Sequence, residues 1–284
     1  MTGYRDLYFD SPDGLRLYAR DYPGPESTAP VLVCLHGLTR NSRDFTALAE
    51  SLCGHFRVLI PEVRGRGLSA YDSDISHYAL MIYVEDLHHL LVQQGVQSCS
   101  VVGTSMGGLM TFAYNALHPG VVQKAVINDI GPDIAKAGLD RIKRYVGVAG
   151  PFADWEEATA YLRGVSGEIF PNWREEQWSA FARQCYTERN GSVVIDYDPQ
   201  IAGPLENTDS DGEAEILWSL FSALHAVPVL LIRGALSDLL EPACVTRMAS
   251  EHPNLTVLEV PGVGHAPMLD EPGVAEQIKT FLVD

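Results

Sequence analysis

No two of the five cysteines (Cys34, Cys53, Cys99, Cys185 and Cys244) stand at Cys-x-x-Cys spacing. The chain therefore carries neither a disulfide framework nor a thiolate metal site, and no metal is expected. Cys34 and Cys99 fall in apolar runs and read as inert core thiols. Basic residues are scarce: 20 Lys and Arg against 37 Asp and Glu leave a formal net charge of −17, which works against nucleic acid or an anionic membrane as partner. No apolar run approaches the roughly 18 residues of a membrane span. The opening residues, Met1-Thr2-Gly3-Tyr4-Arg5-Asp6, lack the basic-then-apolar order of a secretory signal. Together these absences predict a cytoplasmic protein with a small-molecule substrate. Repeats and low-complexity tracts are also missing. What is present is 284 residues, 46% of them hydrophobic, enough for one large domain with an insertion.

Asp13-Gly14 between the alternating runs 7–10 and 15–21 predicts a hairpin. Short apolar runs at 31–36, 56–60, 100–103, 122–127, 229–234 and 255–260 read as strands, those without alternation as strands covered on both faces. Helical spacing at 41–52, 78–94, 106–117, 241–251 and 272–282 separates them. Strand–helix alternation after a hairpin implies a mostly parallel sheet flanked by helices. Between 131 and 225 that rhythm stops. Helical patterns recur at 139–148, 155–162, 175–185 and 213–224, broken by Gly, Pro, Asn and Asp, especially over 201–212, and no clear buried strand is visible. All four tryptophans (Trp155, Trp173, Trp178, Trp218) fall there. The division is a core of residues 1–130 and 226–284 and a helical cap of 131–225.

The stretch Val101-Val102-Gly103-Thr104-Ser105-Met106-Gly107-Gly108 turns a strand into a helix within a few residues. Such a turn leaves no room for Cβ atoms flanking the serine, and it sets the serine oxygen at a helix N-terminus. A serine hydroxyl needs a base to become a nucleophile, and the base needs an acid to hold it. His265, in Val260-Pro261-Gly262-Val263-Gly264-His265, follows one late strand. Asp238, in Leu231-Ile232-Arg233-Gly234-Ala235-Leu236-Ser237-Asp238, follows another. Both then lie beyond strand carboxyl ends, where open α/β sheets bind ligands. Asp129, at the end of the 122–127 strand, competes with Asp238 for the acid.

With this Gly-x-Ser-x-Gly turn and the chain order Ser, Asp, His, the sequence resembles the serine-nucleophile branch of the α/β-hydrolase fold superfamily. The resemblance implies an eight-stranded, mostly parallel sheet with an inserted helical cap, and a Ser105–Asp238–His265 triad. It implies an oxyanion hole from the backbone N–H groups of Met106 and of Leu38, the latter in the family-like His36-Gly37-Leu38 loop. His36 reads as a scaffold for that loop. Arg64-Gly65-Arg66-Gly67-Leu68-Ser69 also resembles a family motif, with Glu62 in place of the commoner Asp, and its arginines read as loop-structuring. No cofactor is implied: Ser105 occupies the place of the middle glycine of a dinucleotide fingerprint. The expected activity is hydrolysis of a small carboxylic ester or lactone through an acyl-enzyme. The alternative is carbon–carbon bond hydrolysis of a ring-cleavage product. Its usual Gly-Pro-Gly loop and post-histidine Trp are absent here, where Leu38-Thr39-Arg40 and Ala266-Pro267 stand. A third, non-catalytic class would be a ligand-binding protein on the same fold. Most of the cap tryptophans read as fixing the cap helices to one another and to the sheet; the alternative is that one or two roof the pocket, and on it apolar or cyclic substrates are expected.

Overall fold

The computed structural model describes residues 3–206 and 210–284. The Asp13-Gly14 turn joins β1 (Arg5–Asp10) to β2 (Arg16–Tyr22). Then follow β3 (Val31–Leu35), α1 (Thr46–Leu52), β4 (Arg57–Glu62), α2 (Leu80–Gln93), β5 (Cys99–Thr104), α3 (Met106–Leu117) and β6 (Val122–Asn128). The insertion holds α4 (Lys136–Tyr145), α5 (Trp155–Ser166), α6 (Glu175–Cys185), β7 (Tyr186–Arg189), β8 (Ser192–Ile195), α7 (Ala202–Glu206) and α8 (Ser210–Ser222). The chain closes with β9 (Val229–Gly234), α9 (Pro242–Glu251), β10 (Leu255–Val260) and α10 (Val274–Val283). No helix among the described residues is long and apolar enough to cross a membrane.

Eight strands form one sheet in the order β1-β2-β4-β3-β5-β6-β9-β10. The first two pairings in that order are antiparallel and the rest parallel. Alternate strand residues feed two apolar layers, as the two-residue period of a strand requires. Val33, Leu35 and Val101 meet residues of α2, α3 and α8 on one face. Leu32, Cys34 and Val102 meet residues of α1 and α10 on the other. All six residues of β9 are buried, Arg233 among them, which is why Val229 to Ile232 read as an apolar run without alternation.

Register brings the strand ends into line. Leu35 pairs with Gly103, Thr104 with Asn128, and Asn128 with Ile232. The residues that follow β3, β5, β6, β9 and β10 therefore emerge along one edge.

The insertion differs from the all-helical reading. β7 and β8 form an antiparallel hairpin, closed by Asn190 (φ 53°) and Gly191 (φ 79°). Two positive φ values are what a two-residue hairpin turn demands, and Asn-Gly is its preferred dipeptide. The strands are four residues each and largely exposed on β7, so they carry no apolar run. Of the break expected at 201–212, residues 207–209 lie outside the described residues, as do Met1 and Thr2 of the opening segment. The closing helix starts at Val274, not Pro272, after Gly273 in the left-handed region (φ 83°).

Candidate active site

Ser105 sits between β5 and α3 at φ 52°, ψ −116°, a strained conformation for a residue with a side chain. The neighbouring glycines make the turn possible. A Cβ on Gly103 would collide with the Gly107 carbonyl, and one on Gly107 with the Leu35 carbonyl. The Ser105 N–H donates to the Asn128 carbonyl (2.9 Å), fixing the turn to the end of β6.

His265 Nε2 lies 2.9 Å from Ser105 Oγ, and its Nδ1 lies 2.9 Å from Asp129 Oδ2. A carboxylate can only accept, so Nδ1 carries the proton and Nε2 is left as the acceptor facing the hydroxyl. Asp129 is fully buried and surrounded by donors: the Gly234 N–H on Oδ1 (2.7 Å) and the Ser237 hydroxyl on Oδ2 (2.6 Å), beside His265. Its backbone is left-handed (φ 57°), a conformation aspartate tolerates better than most residues.

Asp238, expected to hold His265, does not stand there. Its carboxylate accepts two hydrogen bonds from Arg141 of α4, from Nε (2.6 Å) and Nη2 (2.8 Å). That guanidinium keeps Asp238 below its ordinary pKa against the opposing effect of burial, the larger influence on it. The backbone of the same loop also docks α4, through Gly138 N–H to Asp238 O (3.0 Å) and Ala135 N–H to Leu239 O (3.0 Å). The loop after β9 thus sends Ser237 to Asp129 and Asp238 to Arg141 of the insertion.

The His36-Gly37-Leu38 loop is held from behind. Buried His36 sets Nδ1 2.7 Å from the Gly37 carbonyl, and its Nε2 accepts from Val63 N–H (3.1 Å). Nε2 as acceptor makes Nδ1 the protonated nitrogen. Burial pulls the His36 pKa down to about 4, so the ring is neutral. Arg40 N–H also donates to the Gly37 carbonyl (3.1 Å). A trans peptide points its C=O and N–H in opposite directions, so pinning Gly37 C=O on one side aims Leu38 N–H to the other. Arg66, fully buried, donates through Nε to the Leu38 carbonyl (2.9 Å) and through Nη1 to the Arg64 carbonyl (2.7 Å). Arg64 itself pairs with Asp13, Asp72 and Asp86. Among the described residues, neither Leu38 N–H nor Met106 N–H donates to a protein acceptor.

A cavity of about 140 Å³ opens beside Ser105 and His265. The insertion lines it with Tyr145, Tyr161, Phe170, Phe181 and Tyr197, among others. None of the four tryptophans is in the lining, which goes against the reading that one or two roof the pocket and agrees with the reading that they fix the cap. Trp178 and Trp218 are buried in the two layers against the sheet. Trp173 stacks on Phe170 at 3.8 Å, and Trp155 lies against Arg183. Of carboxylate, imidazole and thiol groups among the described residues, Asp13, Asp72 and His77 come near enough to share an ion. The Arg64 guanidinium already lies against both aspartates.

Residues 32–277 match the Alpha/beta hydrolase family. The chain belongs to that family, and it is a hydrolase. It is 38% identical to 3-hydroxybutyrate-oligomer hydrolase of Cupriavidus necator, over 92% of this chain and 91% of the relative. It is 27% identical to 2-(acetamidomethylene)succinate hydrolase of Mesorhizobium japonicum, over 84% of this chain and 83% of the relative. The crystal structure of an alpha/beta hydrolase from Novosphingobium aromaticivorans superposes with a TM-score of 0.93 at 41% identity, covering 99% of each chain.

Proposed function

We propose that this hydrolase cleaves small carboxylic esters, lactones included, through an acyl-enzyme on Ser105. The observation that carries the reading is the unbroken line Ser105 Oγ–His265–Asp129 Oδ2, both steps 2.9 Å. Ser105 Oγ attacks the ester carbonyl while its proton passes to His265 Nε2. Asp129 holds the tautomer and balances the imidazolium. The N–H groups of Leu38 and Met106 take the developing oxyanion, which costs no reorganisation because the loop is already pinned. His265 returns the proton to the leaving alkoxide. Water, deprotonated by the same nitrogen, then attacks the acyl-enzyme and releases the acid.

The insertion 131–225 serves as the cap over the core of 1–130 and 226–284. A cavity of about 140 Å³ is close to the roughly 150 Å³ that accommodates benzene, which suits a short or cyclic acyl group and not a long lipid chain. The relative named for 3-hydroxybutyrate oligomers supports an ester of a short hydroxy acid as the substrate. The test is a panel of p-nitrophenyl esters of increasing acyl length, short lactones and a hydroxy-acid dimer, run beside fluorophosphonate labelling. Labelling at Ser105 with turnover of short esters supports the reading. No labelling, or turnover of none of them, overturns it.

A further inference from the structure

The cavity is lined by two arginines that differ in how their charge is met. Arg40 faces Asp44, which lines the cavity with it. Arg40 Nε donates to Asp44 Oδ2 (2.8 Å), Nη2 donates to Oδ1, and Nη1 contacts the Cys185 sulfur. All three of its nitrogens are engaged, and the pair adds no net charge. Arg141 also lines the cavity, but its counter-ion does not: Asp238 lies behind it, outside the lining. Asp238 takes Nε and Nη2. Nη1 has no carboxylate partner among the described residues; the polar neighbour on the cavity side is the neutral Tyr145 hydroxyl, which lines the cavity with it. The Arg141 side chain is 12% exposed and forms part of the cavity wall, so its charge is largely shielded from bulk water. In a protein of net charge −17, the pocket thus presents one cationic edge, held at a fixed angle by a bidentate clamp from outside. A planar guanidinium fixed in this way is suited to receive a carboxylate.

We infer that Arg141 is the anchor for a free carboxylate on the substrate, so that the preferred substrates are short esters carrying an unesterified carboxyl group. Asp238 is then a positioning residue, holding the guanidinium in register. The inference rests on the ester-hydrolase reading and deepens it. It also gives the loop after β9 a use for the acid that His265 does not take.

The experiment compares a linear 3-hydroxy-acid dimer with its methyl ester, which differ in the carboxylate alone. In the Ser105→Ala protein, which cannot turn over, the acid is expected to bind about tenfold or more tighter than the methyl ester, as for a charge-assisted hydrogen bond in a partly dry site. Arg141→Gln in the same background should bring that ratio to about one. Arg141→Lys should restore part of it. Asp238→Asn should weaken acid binding more than methyl ester binding. Equal binding of acid and methyl ester by the Ser105→Ala protein overturns the inference. So does a ratio that survives Arg141→Gln, or variants that weaken both ligands alike through loss of stability. Wild-type turnover of the methyl ester reports separately on the ester reading, so the two ideas fail independently.

Discussion

Asp129 and Asp238 follow neighbouring strands of one sheet, yet their surroundings make them different chemical objects. Asp129 is sealed from solvent and accepts from a backbone N–H, a hydroxyl and an imidazole. Asp238 is 34% exposed at its side chain and is clamped to one arginine of the insertion. A carboxylate asked to orient a base needs a fixed direction and donors that satisfy its oxygens in a dry site. Asp129 has both. Asp238 is tied to an element that sits over the pocket, and its direction follows that element. Position at a strand's carboxyl end therefore does not by itself decide which carboxylate meets His265. The donors brought by the loop next door do that.

The largest effect sets the scale for this comparison. Ser105→Ala should lower kcat by roughly 10⁵–10⁶-fold with the melting temperature nearly unchanged. More than a few per cent residual activity in pure protein would remove Ser105 from the reaction. Next comes the direct contrast. Asp129→Asn should cost on the order of 10⁴-fold, because an amide can turn its NH₂ toward Nδ1 and favour the wrong tautomer. Asp238→Asn should cost less than about tenfold on a neutral ester. Steady-state rates of the two variants on the same neutral ester decide the matter, and a reversed order would restore Asp238 as the acid.

How far these features were legible follows from the kind of signal each leaves. Buried strands and the Gly-x-Ser-x-Gly turn are local: steric crowding at Gly103 and Gly107 and continuous apolar runs write them into adjacent residues. His265 was legible for the same reason, being one loop beyond a clear strand. The carboxylate that meets His265 was not, because Asp129 and Asp238 share their local context. Their difference lies in long-range partners: Ser237 and His265 for one, Arg141 for the other. The shift is a single residue, since the side chain that the β9 loop sends to the site is Ser237. The β7–β8 hairpin had a local signal, Asn190-Gly191, hidden by strands too short and too exposed to show an apolar run. For the tryptophans, bulk predicts burial, which Trp178 and Trp218 show, and says nothing about which cavity a ring faces.

His36, behind the oxyanion loop, allows a smaller and separate test. His36 is pulled down to about 4 by burial, so the unfolded chain takes up a proton near 6.5 that the folded chain refuses. Stability from this residue is complete above about pH 6.5 and is lost as pH falls toward 4. The loss is on the order of 3 kcal/mol across that window by the usual conversion of a pKa shift. The melting temperature should drop over this range, and His36→Gln should flatten the drop even if it lowers the whole curve. An equal slope in the variant would place the acid sensitivity elsewhere, with His118 and His252, also lowered by burial, as the next candidates.

The smallest expected effects separate the rings that line the pocket from those that support them. Phe170 and Phe181 face the cavity. Trp173 backs both, stacked on Phe170 at 3.8 Å and edge-on to Phe181 at 5.3 Å. Trp218 is farther from the chemistry: its Nε1–H donates to Asp133 (2.7 Å), and Arg247 lies 3.7 Å above its ring. Trp218→Phe removes one hydrogen bond and weakens a cation–π contact, so it should lower stability by about 1–2 kcal/mol and leave the ranking of acyl lengths alone. Phe181→Leu shortens a wall of the cavity and removes the ring under Arg40. It should shift the ranking toward longer acyl groups by a few-fold in kcat/KM, with a comparable fall in melting temperature. The check is a series of p-nitrophenyl esters measured for both variants beside their melting curves. If Trp218→Phe reorders the series and Phe181→Leu does not, selectivity is set by how the insertion seats on the sheet and not by the walls of the pocket.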